Sequence, residues 1–107
     1  MPVLCPTTIT EFYEQVKTHT LCIVDFYADW CGPCKQLGKK LEIYENDDMV
    51  CVVKLNVDND EFTQFCEDCR VSGIPHVIFF KNGEITQHVV NGNDFEKIQS
   101  YVESLKR

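Results

Sequence analysis

Two cysteines three positions apart, in Trp30-Cys31-Gly32-Pro33-Cys34, are the residues of this chain best placed to do chemistry. At that spacing, beside a proline, they can close a tight, reversible disulfide at a helix start. Cys31 sits where unpaired helix N–H groups and the helix dipole favour negative charge, so its thiolate is stabilised. The thiolate is the species that attacks disulfides, which makes Cys31 the expected nucleophile. Cys34 lies one helical turn further on the same face and can reach back to resolve the mixed disulfide that Cys31 forms. Pro33 has no N–H to leave unpaired in a first turn and fixes φ, holding the dithiol rigid, while Gly32 lets a substrate backbone come close.

The elements that must hold this pentapeptide alternate along the chain. Ile9, Phe12, Tyr13 and Val16 recur at helical spacing over residues 8–17, with Thr8 and Glu11 matching a capping box. Leu21 to Ala28 is a near-continuous apolar run, rich in β-branched and aromatic residues, which predicts a strand buried on both faces. Lys35 to Glu45 places Leu37, Leu41 and Tyr44 on one face of a second helix, with Gly38 weakening its middle. Residues 50–57 predict another interior strand, and Glu61 to Cys69 a short helix with Phe62 and Phe65 inward. His76 to Phe80 and Ile85 to Val90 predict an antiparallel pair joined at Asn82-Gly83, a dipeptide suited to positive φ. A last helix carries Phe95, Ile98, Val102 and Leu105 inward, with Asn93 as its expected N-cap. The sum is an α/β fold: a central mixed sheet of about five strands, counting Met1 to Cys5 as a weak edge, flanked by four helices.

Composition narrows the function. A chain of 107 residues with no composition break predicts one domain over 1–107. Its net charge of −7, with no Lys/Arg cluster, argues against nucleic acid or an anionic membrane as partner. No apolar run approaches the ~18 residues of a membrane span, and the N-terminus lacks the basic and apolar regions of a secretory signal, so a cytoplasmic protein is expected. The seven cysteines cannot all pair within the chain, and Cys22 and Cys51 lie inside strand-like runs as buried thiols. A reducing compartment fits better than a secreted disulfide scaffold.

Asp25 interrupts the apolar strand, and an ionised carboxylate there is costly unless it has a role or lies at an edge facing water. With it, Phe26-Tyr27-Ala28-Asp29-Trp30-Cys31-Gly32-Pro33-Cys34-Lys35 resembles the active-site segment of thioredoxins. The likeness runs in register from residue 3 to about 105, through Lys54-Leu55-Asn56-Val57-Asp58, Gly73-Ile74-Pro75, Phe80-Lys81-Asn82-Gly83 and Gly92. It is the single-domain, cytosolic WCGPC type that the chain resembles. The resemblance implies a thioredoxin fold and a protein-disulfide reductase. Asp25 would accept the proton of Cys34, its pKa raised by desolvation, and Lys54 would tune Asp25. Ile74 and a cis Pro75 would pair with an extended substrate, Trp30 would cover one side of the cysteines, and Gly92 would open the other.

The resemblance also implies partners: a flavin-containing thioredoxin reductase that passes electrons from NADPH, and disulfide-bearing protein substrates, peroxiredoxins among them. No cofactor, metal, nucleic acid or membrane is expected on the chain, and a monomer is. The alternative is a thioredoxin-like binding or chaperone module in which redox activity is secondary. Two positions depart from the common pattern: His76 stands where many members carry Thr, and Lys39 where many carry Pro. Cys66 and Cys69 form a second Cys-x-x-Cys, read as two incidental thiols, as a regulatory disulfide, or, last, as half of a zinc site completed by Cys31 and Cys34.

Overall fold

The computed structural model describes residues 3–107. One sheet runs in the order β2-β1-β3-β4. Its strands are β1 (Leu21–Tyr27), β2 (Val50–Asn56), β3 (His76–Lys81) and β4 (Glu84–Asn91). β1 pairs parallel with β2 and antiparallel with β3, and β3 pairs antiparallel with β4. The expected fifth strand is reduced to one bridge, Leu4 to Val53, while Met1 and Pro2 lie outside the described residues.

β1 is central, and its continuous apolar run splits by parity into two cores. Cys22, Val24 and Phe26 pack with Phe12 and Val16 of α1 (Ile9–Lys17), with Phe62, and with Phe65 of α3 (Thr63–Asp68). Leu21 and Ile23 pack on the other face with Leu37 and Leu41 of α2 (Gly32–Leu41) and with Ile98 and Val102 of α4 (Phe95–Leu105). A strand covered by helices on both sides has no solvent face to keep polar, so alternation is lost. By the same parity, Asp25 on β1 and its register partner Lys54 on β2 face the α2 side.

Several boundaries moved. Asp94, not Asn93, caps α4: its Oδ1 accepts from the Lys97 N–H at 3.1 Å, while the Asn93 amide donates to Gln36 Oε1. Thr8 caps α1 by accepting from the Glu11 N–H, but the Glu11 carboxylate reaches back to the Thr7 N–H instead of that of Thr8. Tyr13, which shares the helical spacing of Phe12 and Val16, is exposed while those two are buried. α2 stops at Leu41 and tightens into a 3₁₀ turn over Glu42–Tyr44, which still buries Tyr44. The hairpin is as the dipeptide requires, with Asn82 and Gly83 at φ 53° and 82° between the paired Lys81 and Glu84.

α3 ends without a glycine. Arg70 takes φ 57°, its N–H bonds the Glu67 carbonyl, and the Val71 N–H bonds the Cys66 carbonyl at 3.0 Å. That double bond pattern is a Schellman motif, a stop that periodicity alone does not reveal.

Candidate active site

β1 delivers the pentapeptide to the start of α2. Cys31 is the N-cap of that helix, with extended backbone, and its Sγ accepts from the Cys34 N–H at 3.2 Å. Gly32 and Pro33 occupy the first turn, where the missing proline N–H leaves nothing unpaired. Cys31 and Cys34 are joined as a disulfide, with Cα atoms 5.2 Å apart. Both are buried, and they pack with Ala28, Tyr27, Val57 and Ile74.

The loop before β3 lies against this pair. The Ile74–Pro75 bond is cis, and the Ile74 carbonyl oxygen lies 3.9 Å from Cys31 Sγ. Gly92 sits at φ 86° and donates its N–H to the Pro75 carbonyl, tying the end of β4 to the same loop. Two depressions flank it. One, of about 450 Å³, is lined by Trp30, Val57, Thr63, Cys66, Gly73 and Ile74 among others; the second, of about 390 Å³, by Arg70, Ile74, Pro75, Asn91 and Gly92 among others. Trp30 is 70% exposed, and its indole N–H donates to Asp58 at 2.9 Å, which fixes the ring at the rim. Asp58 was part of the motif read from sequence but carried no role there; only the folded contact gives it one.

Asp25 is fully buried, and neither carboxylate oxygen has a hydrogen-bond partner within the protein. Burial pushes its pKa up to about 6, opposed by the positive charge of Lys54. The Lys54 ammonium lies over the Tyr27 ring, 4.3 Å from its centroid, and 3.6 Å from where a Cβ on Gly38 would stand. Lys54 and Tyr27 also line a cavity of about 90 Å³ that reaches Cys34. Cys34 and Gly38 are one turn apart on α2, so Asp25, Lys54 and Cys34 belong to one layer between β1 and α2.

His76 is the departure that matters most for packing. It is buried edge-on to Phe26, neither ring nitrogen has a hydrogen-bond partner of good geometry, and burial holds its pKa below the usual value with Asn91 opposing. The ring thus serves as part of the core, packed against Phe26. Cys66 and Cys69 are free, half-buried thiols, and burial raises both, Cys69 to about 11 with Cys66 and Asp68 adding to the effect.

A thioredoxin family model matches residues 3–104. The mitochondrial thioredoxin of mouse is 36% identical over 108 residues, which cover 95% of this chain and 65% of that protein. Among solved structures, oxidised mitochondrial thioredoxin 3 of Saccharomyces cerevisiae matches with a TM-score of 0.82 at 27% identity, over 95% of this chain and 94% of that one. A structure on the thiol resolving mechanism of yeast mitochondrial 1-Cys peroxiredoxin via glutathione/thioredoxin systems contains a chain that also matches, at a TM-score of 0.82 and 25% identity, over 95% and 94% of the two chains. These likenesses overturn the cytoplasmic expectation: relatives from four organisms are mitochondrial thioredoxins.

Proposed function

Because the chain belongs to the thioredoxin family, we propose that it reduces protein disulfides through a reversible Cys31–Cys34 dithiol/disulfide. The observation that carries this is the seat of Cys31: the N-cap of α2, bonded to Cys34 and set against the carbonyl of Ile74. The thiolate of Cys31 attacks one sulfur of a substrate disulfide, forming a mixed disulfide and expelling the other sulfur as a thiolate that takes up a proton. Cys34 then attacks Cys31 Sγ, expels the second substrate thiolate and leaves the protein oxidised. Two electrons pass to the substrate.

Asp25 is the proposed acceptor of the Cys34 proton, directly or through water, with Lys54 setting how readily it ionises. A carboxyl with a pKa of about 6 suits that exchange near neutral pH. Gly32 and Pro33 hold the dithiol, while Trp30, Ile74, Pro75 and Gly92 bind substrate, the Ile74 backbone pairing with an extended segment as an added strand. The domain is proposed to occupy residues 1–107 as a WCGPC thioredoxin. Re-reduction by a flavin-containing thioredoxin reductase fed by NADPH follows from the family, and peroxiredoxins join the substrate class on the likeness to the yeast peroxiredoxin–thioredoxin system. The mitochondrial relatives support a mitochondrial location, testable by fractionation.

Cys34→Ser is the decisive variant, because it stalls Cys31 as mixed disulfides that name the substrates. Cys31→Ser should lower disulfide reduction to the uncatalysed background. An empty trap, or a biological effect that survives Cys31→Ser, would instead favour a binding or chaperone module. A reduction potential on the oxidising side, near about −180 mV, would point to an isomerase.

A further inference from the structure

At the end of β1 away from the dithiol, three side chains that favour soft metals converge. Cys22 and Cys51 are register partners on the parallel strands β1 and β2, and both are buried. His19, in the turn between α1 and β1, completes the group, and one donor atom from each of the three lies within 4.8 Å of the others. Cys22 and Cys31 are separated by most of β1, on the order of 15–20 Å at a strand's rise per residue. The disulfide chemistry makes no use of this trio.

We propose that His19, Cys22 and Cys51 form a zinc site. Tetrahedral zinc, with Zn–S near ~2.3 Å and Zn–N near ~2.0 Å, needs donors about 3.5–3.8 Å apart. Mutual distances within 4.8 Å therefore close on an ion with side-chain adjustments and no movement of the strands. The histidine is also held as a ligand histidine must be. Its Nδ1 lies 2.8 Å from the Gln15 carbonyl and 3.1 Å from Thr18 Oγ1, and in the tautomer that donates Nδ1–H to that carbonyl the Nε2 lone pair is left for a metal. Gln15 itself carries a buried side-chain oxygen without a partner at this corner of the fold.

Charge selects the ion. Cys22 and Cys51 share their core with Phe12, Val16, Val24 and Phe80, where an unbalanced charge is costly. Two thiolates around a divalent cation leave no net charge, whereas a monovalent soft ion leaves one negative charge buried. Binding releases two protons to solvent, one from each thiol, and zinc's fourth position goes to a small exogenous ligand such as water.

The test is zinc titration of the full chain, kept in its Cys31–Cys34 disulfide form, against a chromophoric chelator, with cobalt(II) as the spectroscopic substitute. The expected result is one ion per chain with thiolate-to-cobalt charge transfer. His19→Gln, at a partly buried position outside the two cores, should weaken zinc binding by at least about tenfold. Cys51→Ala should abolish it, and Cys66→Ala/Cys69→Ala should leave it unchanged. Absence of binding, binding indifferent to His19→Gln, loss in the Cys66/Cys69 variant, or uptake of copper(I) but not zinc would each overturn the proposal.

Discussion

The chain contains the same motif twice, and only one copy is bonded. Cys31-Gly32-Pro33-Cys34 and Cys66-Glu67-Asp68-Cys69 both place two thiols one helical turn apart. The first opens its helix: Cys31 caps α2, and its sulfur receives the Cys34 N–H. The second closes its helix: Cys69 is the C-cap of α3, at the end where carbonyls point outward. A helix N-terminus stabilises a thiolate and a C-terminus opposes it. Burial, Cys66 and Asp68 then raise Cys69 to about 11. Spacing gives two cysteines the reach to bond; burial and neighbouring charge, together with the end of the helix they occupy, set whether either is a nucleophile at neutral pH.

The sharpest way to separate the two pairs is through Asp25, which the proposed mechanism couples only to the first. Burial holds its carboxyl at about 6 in the folded chain, against ~3.9 for an unfolded one. Between those values the folded state retains a proton that the unfolded state has lost, so stability falls as pH rises through the window. Above about pH 6 the full penalty, about 3 kcal/mol, is in place. Asp25→Asn should therefore stabilise the oxidised chain by up to about 3 kcal/mol at about pH 7 and by little below about pH 4. Denaturant unfolding across that range measures the difference. The same variant should slow resolution of mixed disulfides while leaving Cys66 and Cys69 unaffected. A gain in stability that does not vary with pH would show that ionisation of Asp25 is not its cause.

Alkylation of the reduced chain tests the comparison itself. With a pKa of about 11, Cys69 is roughly 10⁻⁴ thiolate at about pH 7, whereas a thiol at the ordinary ~8.5 is a few per cent thiolate. The stronger nucleophilicity of the more basic thiolate recovers about tenfold, so Cys31 should react at least about tenfold faster than Cys69. Peptide mapping by mass spectrometry after a short iodoacetamide pulse gives both rates at once. Mild peroxide should likewise leave Cys66 and Cys69 as free thiols. Equal alkylation rates, or a Cys66–Cys69 bond after mild peroxide, would remove helix polarity as the explanation.

The first pair was legible in sequence because its context is local. Proline after Cys31-Gly32, a β-branched apolar strand before it and an amphipathic stretch after it all act within a few residues. Asp25 was legible for the opposite reason, as a charge where the apolar pattern forbids one. The Schellman stop at Arg70 was not, since no glycine marks it, and Asp94 was passed over for Asn93 because two good capping residues stand side by side. The His19, Cys22 and Cys51 grouping is invisible to spacing, because a parallel register joins positions far apart in the chain. The anchoring of Trp30 by Asp58 is a contact of the same long-range kind.

The smallest effect lies at the residue that closes the second pair's helix. Arg70 holds φ 57° at the position after the C-cap, where an L side chain costs about 1–2 kcal/mol and glycine almost nothing. Glycine also loosens the unfolded chain, which takes back about 0.5–1 kcal/mol. Arg70→Gly should therefore raise stability by about 0.5–1 kcal/mol, a shift of roughly 2–5 °C in Tm for a domain of this size. Arg70 lines the depression beside Pro75 and Gly92, so substrate reduction is the wrong readout; alkylation of Cys69 is the right one. If the carbonyl end of α3 holds Cys69 inert, securing that end leaves its alkylation rate where it was. If the rate falls in step with the gain in stability, Cys69 reacts through fraying of the last turn, and the contrast between the two pairs is one of dynamics as well as of helix polarity.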